Sequence, residues 1–193
     1  TDNAVAMGYC FGGTAALDFD AGFVLAAIAI EQATGRSYWD LLDEYVIHKF
    51  EFEATSGATS RDMPGVVQGF VGPDGMLGHP PWALAEGRFQ VNPAIEYTGG
   101  GVVSNSAELA WWAQHLWSGE AYGEDSLQIL FDRAYPIDPE NPAAGSYSIG
   151  VFIDETRFGR RYHHRGTYPG YKSITAYLPE HNIALAVQIN SSE

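Results

Sequence analysis

The sequence predicts a mixed α+β fold, with helices from the middle of the chain packed on an antiparallel sheet formed by its end. Two observations carry this. From Gly22 to Ala134, apolar residues recur at helical spacing behind capping signals. From Tyr147 to Ile189 they run in short alternating segments separated by tight turns. A chain of 193 residues fits one domain, and 46% hydrophobic residues suffice for a sizeable core.

The elements follow in order. Ala4 to Gly8 is short and apolar, runs towards Gly12-Gly13, and reads as a buried strand entering a turn. Gly22 to Thr34 reads as a helix stopped by Gly35. Ser37, with Asp40 three residues on, caps a second helix running towards Phe50. Its residues Tyr38, Leu41, Leu42, Tyr45 and Val46 keep the helical period. Residues 54 to 93 are rich in Gly and Pro and form a long irregular excursion, the kind of loop that is usually functional. Val66 to Val71 is a candidate short strand within it. Asn105-Ser106-Ala107-Glu108 matches a capping box, and Leu109, Trp112, Ala113 and Leu116 form the stripe of the helix it starts. Gly119 ends that helix, Asp125 to Ala134 is another, and Pro136 to Pro142 is a loop. Four strands close the chain: Tyr147 to Asp154, Arg161 to Arg165, Lys172 to Leu178 and Ile183 to Ile189. Phe158-Gly159 and Glu180-His181-Asn182 are the turns.

Charge excludes some partners. A net charge of −14 with ten Lys and Arg argues against nucleic acid, whose affinity rests on basic phosphate contacts. It argues equally against an anionic membrane surface. No apolar run reaches the ~18 residues of a membrane span; Phe23 to Ile30 is too short. No signal-peptide pattern is visible, which leaves the compartment open. Cys10 is the only cysteine, so no internal disulfide is expected. The basic residues are uneven: Arg157, Arg160, Arg161, Arg165 and Lys172 fall close together, beside His163 and His164. They read either as polar faces of strands, the better account of Arg157 and Arg160, or as a positive field for a carboxylate-bearing substrate. Arg165 is the better functional candidate.

Three segments resemble one family. The first is Ala21 to Ser37; the second is Tyr97-Thr98-Gly99-Gly100-Gly101-Val102-Val103-Ser104; the third is His164-Arg165-Gly166 with Tyr168-Pro169-Gly170-Tyr171. In order and spacing the chain resembles the serine β-lactamase and D-alanyl-D-alanine peptidase superfamily, closest to its class C and esterase-like branch, over about residues 20 to 190. The third segment resembles the Lys-Thr-Gly signature, which in this branch is often His-x-Gly. The resemblance implies a partial β-lactamase-like fold, shortened at both ends, and acyl hydrolysis at ester or amide carbonyls. By resemblance, His164 and Arg165 contact the substrate carboxylate or the acyl-transfer protons. Gly166 lies in the same motif. The Thr167 backbone N–H would be half of an oxyanion hole, and Tyr168, with Tyr171, a substrate wall.

The departures from the family pattern matter. No Ser-x-x-Lys occurs in the sequence: Lys49 and Lys172 are its only lysines, preceded at three residues by Val46 and Pro169. The Tyr-x-Asn position reads Asp18-Phe19-Asp20. Residues 4 to 17 resemble something else, the Gly-x-Cys-x-Gly elbow of dienelactone hydrolases, as though residues 1 to 19 were of foreign origin. Cys10 is therefore either a small buried residue in a Gly-rich turn or a thiolate nucleophile at a helix N-terminus. Without a placeable base the first is preferred.

His163 and His164 adjoin on a strand and point to opposite faces; His164 is the motif residue. His48, His79, His115 and His181 fit no metal spacing, and neither metal nor cofactor is expected. Trp111, Trp112 and Trp117 read as packing. A sheet without its covering helix exposes an apolar face, so a homo-oligomer or a complementary chain is expected. The functional expectation is a hydrolase of the β-lactamase and esterase class, weak or inactive alone because the serine segment is absent. The alternative is a non-catalytic fusion or remnant that folds and self-associates.

Overall fold

The computed structural model describes residues 20–193; the expectations for Ala4 to Gly8, the elbow and Cys10 lie outside the described residues. Helix α1, Asp20–Thr34, ends where expected: Gly35 takes a φ of +68° and donates its N–H to the Glu31 carbonyl at 2.8 Å. Ser37 caps α2, Tyr38–Leu42, its Oγ accepting the Asp40 N–H at 3.1 Å. The expected second helix then changes pitch, continuing as a π-helix over Asp43–His48. Nothing in the apolar spacing announces that change.

The long excursion is ordered, but not as the sequence suggests. It carries β1, Ser56–Gly57, and the hairpin of β2, Leu84–Ala85, with β3, Arg88–Phe89. Glu86 and Gly87 turn that hairpin with positive φ at both positions. β1 pairs with β4, Val102–Val103. The strand expected at Val66 to Val71 is reduced to bridges from Phe70 to Trp82 and to Ser191. Its backbone groups go instead to scattered partners: the Phe70 N–H to the Asn190 carbonyl at 2.9 Å, the Val71 N–H to the Pro81 carbonyl at 2.8 Å.

Asn105 caps α3, Ser106–Trp117, by accepting the Glu108 N–H at 2.8 Å. The reciprocal half of the capping box is not made. The buried Glu108 carboxylate accepts the N–H groups of Glu53 and Ala54, at 3.0 and 2.9 Å, and the Thr55 hydroxyl, at 2.6 Å. After α4, Glu124–Asp132, comes the sheet: β5, Tyr135–Pro136; β6, Ser146–Ser148; β7, Val151–Thr156; β8, Gly159–Tyr168; β9, Tyr171–Leu178; β10, Ile183–Ile189. The strand order is β10-β9-β8-β7-β6-β5. The single strand expected over Tyr147 to Asp154 is two, β6 and β7 reversing at Ile149-Gly150, where Gly150 has a φ of +71°.

The described residues divide into two compact units. One comprises Asp20–Leu109, Arg165–Ile174 and Val187–Glu193. Phe52, Val71, Leu84 and Phe89 are among its buried side chains. The other comprises Ala110–His164 and Thr175–Ala186, with a core of Ala113, Trp117, Val151, Tyr162 and Tyr177. Phe131 stacks on Tyr162 in that core, ring centres 4.5 Å apart. Trp117 is buried as expected, whereas Trp111 is largely exposed.

Three of the clustered cations have structural roles in the second unit. Arg161 grips Asp154 in a two-pronged ion pair at 2.9 and 2.6 Å, Arg160 pairs with Glu155, and Arg157 lies over the Phe158 ring.

Among the described residues, two apolar elements stay uncovered. α1 is apolar on every side, the composition of a buried helix, yet Ala27 is its one buried residue and Leu25 is 65% exposed. β10 stands at the sheet edge with Ile183, Leu185, Val187 and Ile189 exposed.

Candidate active site

The motif His164 to Tyr171 forms the end of β8, a two-residue turn and the start of β9. Alternate residues of a strand share a face, so Gly166 and Tyr168 lie on one and Arg165 and Thr167 on the other. Arg165, Gly166 and Thr167 are exposed, and Tyr168 is half-buried. His164 belongs to the other unit. Its ring lies 5.5 Å from Phe152 and 6.3 Å from Tyr147. His163 stacks on Phe152 at 5.3 Å and sets its Nε2 3.4 Å from Asp154.

The turn is fixed by the long excursion. Gly170 adopts a φ of +95°, accessible to glycine, and a Cβ there would stand 3.1 Å from that of Ala83. Gly69 crosses it closely; a Cβ on Gly69 would meet the Tyr171 ring and the Gly170 carbonyl, at 2.6 and 2.7 Å. The Tyr171 hydroxyl donates to the Val67 carbonyl at 2.7 Å, and the Gly170 N–H donates to Ser192 Oγ at 2.7 Å. Gln68 holds both backbone groups of Leu84, at 2.8 and 3.0 Å, so the crossing is tied to the β2–β3 hairpin.

That hairpin and its flanks supply aromatic neighbours. The Tyr168 ring meets His79 edge-on at 5.2 Å and Phe89 at 5.9 Å, and lies 6.3 Å from Tyr171. Burial, the negative charge of Glu96 and the neighbouring Tyr171 push the Tyr168 phenol up to about 12. Burial likewise pushes Tyr171 up to about 12, opposed by a backbone hydrogen bond to Gly69. Burial lowers His79. Glu96 is raised by burial and then by the charge of Asp20.

The run after Glu96 is anchored on α1. Glu31 accepts the Tyr97 hydroxyl at 2.6 Å and the Tyr38 N–H at 2.7 Å. Those two bonds hold its carboxyl below the ordinary range, against a smaller effect of burial. The Tyr97 ring sits edge-on to Trp39 at 5.6 Å and to Tyr38 at 6.0 Å. Tyr97 itself has a φ of +43°, unusual for a bulky residue. Gly99 then abuts Asp20, whose Cβ would lie 2.7 Å from a Cβ placed there.

A Beta-lactamase family profile matches residues 20–193. The chain belongs to the Beta-lactamase family. Solved structures of this superfamily share its fold. A D-stereospecific amidohydrolase from Streptomyces sp. is 23% identical, with a TM-score of 0.78 over 97% of this chain and 55% of that one. The D-amino acid amidase from Ochrobactrum anthropi SV3, in its complex with L-phenylalanine amide, is 20% identical with a TM-score of 0.72, covering 91% and 51%. A penicillin-binding protein from Bacillus halodurans is 20% identical with a TM-score of 0.66, covering 90% and 51%. This member of the family thus spans about half the length of those structures. No curated protein matches it.

Tyr168 and Tyr171 come together at one turn, as the motif suggested. Glu31, Glu96, His79 and Phe89 were not singled out from the sequence. The Gly99-Gly100-Gly101 run marks the segment after Tyr97, but no spacing links Glu31 to it across 66 residues.

Proposed function

We propose that this chain forms the substrate wall of an acyl hydrolase acting on ester or amide carbonyls. The observation that carries this is the Arg165 to Tyr168 strand end. It is exposed on one side of its turn and backed by His79, Phe89 and Tyr171 on the other. Arg165 would receive a carboxylate, and the Thr167 N–H would face the developing oxyanion. Amides of D-amino acids are a suitable substrate class, given the D-amino acid amidase whose fold the chain shares. With no Ser-x-x-Lys in the sequence, turnover by this chain alone is expected to be weak or absent. Cys10 or a complementary polypeptide would then supply the nucleophile.

The test is hydrolysis of a chromogenic short-chain ester and a chromogenic cephalosporin by mass-verified protein, beside Cys10→Ala and Arg165→Ala. Turnover that falls tenfold or more, roughly 1.4 kcal/mol in the barrier, in Arg165→Ala upholds the wall. Turnover lost in Cys10→Ala makes Cys10 the nucleophile. Turnover indifferent to both substitutions refutes this reading. No turnover at all favours a scaffold that needs a second polypeptide or has no chemistry.

A further inference from the structure

Residues 69 to 83 double back on themselves, and the residue at their tip is an unusual choice. The Val71 N–H donates to the Pro81 carbonyl at 2.8 Å, and Met76 and His79 exchange both backbone hydrogen bonds, at 3.1 and 2.8 Å. Leu77 and Gly78 alone turn the chain, with φ of +50° and +80°. A two-residue turn with positive φ at both positions favours Asn-Gly, and a Leu held there is strained. Its own fold gives Leu77 no packing in return. At 87% it is the most exposed large apolar side chain among the described residues. A lone exposed apolar residue is ordinary on a protein surface. One fixed at a strained tip, where a polar residue fits better, calls for a reason.

The same unit carries an open apolar groove. It lies between the end of α1 and α2 with its π-helical continuation, and has a volume of about 670 Å³, within the range of ligand pockets. Ile30, Leu41, Leu42, Tyr45 and Val46 line it, and Arg36 is the one charged residue in the lining. The π-helical pitch falls on Tyr45 and Val46, and such segments often mark functional sites. Ile30 and Tyr45 are exposed, so the groove stands open among the described residues. Arg36 makes one side-chain hydrogen bond there, to Glu44 at 2.6 Å, although an Arg fork carries five donors. Asp74, three residues before Leu77, is exposed and forms no side-chain hydrogen bond or ion pair among the described residues.

We propose that the Leu77 tip of one copy of this chain docks in the groove of a second copy, with Asp74 meeting Arg36. An apolar side chain leaves water for an apolar lining, and the carboxylate beside the tip answers the one cation in the groove. The exposed ion pair adds direction more than strength; burial of Leu77 carries the contact. The turn is already held in shape, so no loop has to be ordered on docking. Each copy offers both a tip and a groove, so association continues beyond a pair unless it closes into a ring.

The experiment is small-angle scattering from the full chain at rising concentration, up to about 1 mM, where a contact resting on one anchoring side chain registers. About 0.15 M salt screens the mutual repulsion of chains carrying a charge of −14. Every sample carries Leu185→Lys, which charges the exposed edge of β10 and removes association by that route. The scattering mass is expected to rise. Leu77→Asn, which suits the turn, and Tyr45→Glu, at an exposed position in the groove, should each weaken association about tenfold or more, as loss of a buried Leu contact gives. Arg36→Gln should weaken it about twofold. The decisive sample is an equimolar mixture of the Leu77→Asn and Tyr45→Glu chains. One supplies an intact groove and the other an intact tip, so the mixture should recover pairs and stop there. Circular dichroism checks each fold, and Ile30→Glu replaces Tyr45→Glu if that variant does not fold. A mass that never rises, association that survives the tip or the groove substitution, or a mixture that stays monomeric overturns the docking. Association unchanged in Arg36→Gln overturns the Asp74 contact alone.

Discussion

Glu108 is the residue whose loss should be felt most. It lies in the first turn of α3 and is 6% exposed. One carboxylate serves two backbone N–H groups and a hydroxyl from Glu53 to Thr55. Glu108→Ala leaves those donors unsatisfied. At about 1–3 kcal/mol for each buried group, and allowing for partial hydration, the loss should be about 3–5 kcal/mol. Glu108→Gln keeps one acceptor oxygen and should cost about 1–2 kcal/mol.

The pH dependence has a definite sign. Burial raises the Glu108 carboxyl, but the Thr55 hydroxyl and the Ala54 and Glu53 amides outweigh it, and the net shift is downward. A depressed carboxyl contributes stability above its unfolded value, and that stability is lost as pH falls through the folded one. The unaltered chain should therefore lose this contribution on acidification below the ordinary carboxylate range, and Glu108→Gln should lack that part of the decline. Urea denaturation at neutral and acid pH measures both effects. A Glu108→Ala variant within about 0.5 kcal/mol of the parent, the usual range of uninvolved surface changes, would refute the reasoning. So would an acid decline unchanged in Glu108→Gln.

Two further outcomes follow from the same structure. Gly170→Ala should destabilise by about 2 kcal/mol, from positive φ and crowding against Ala83, measured by urea denaturation; an unchanged midpoint would mean the turn is not held as described. Self-association through the uncharged edge of β10 should make the sedimentation coefficient rise with concentration, and Leu185→Lys should suppress the rise. A chain that stays monomeric at every concentration would exclude that contact.

What the sequence announced was local. Ser37 and Asn105 bond the amides their positions implied, Gly35 and Asn182 take left-handed backbone, and β10 occupies Ile183 to Ile189 as alternation predicted. What it concealed depends on distant partners. The capping-box pattern at Asn105 is sound, but Glu108 answers to Glu53 and Ala54 instead of its own cap. Tyr147 to Asp154 is one apolar-rich run in the sequence, and the φ of Gly150 reveals the reversal. In the candidate site, Tyr168 and Tyr171 were legible from the Pro-Gly turn between them. The Glu31–Tyr97 bond was not, because it joins residues 66 positions apart.

The crossing of Gly69 and Gly170 has a consequence for how such a wall can change. The excursion and the hairpin tip interlock through two residues with no side chain, and Ser192 near the chain's end closes the same knot. A graft of residues 54 to 93 from a relative would need a matching tip, since one added methyl at either glycine forces the layers apart. Phe89 and His79 touch Tyr168 through ring contacts alone. Variation behind the proposed wall would therefore have an open route at those two rings, and a closed one at the glycines beneath them.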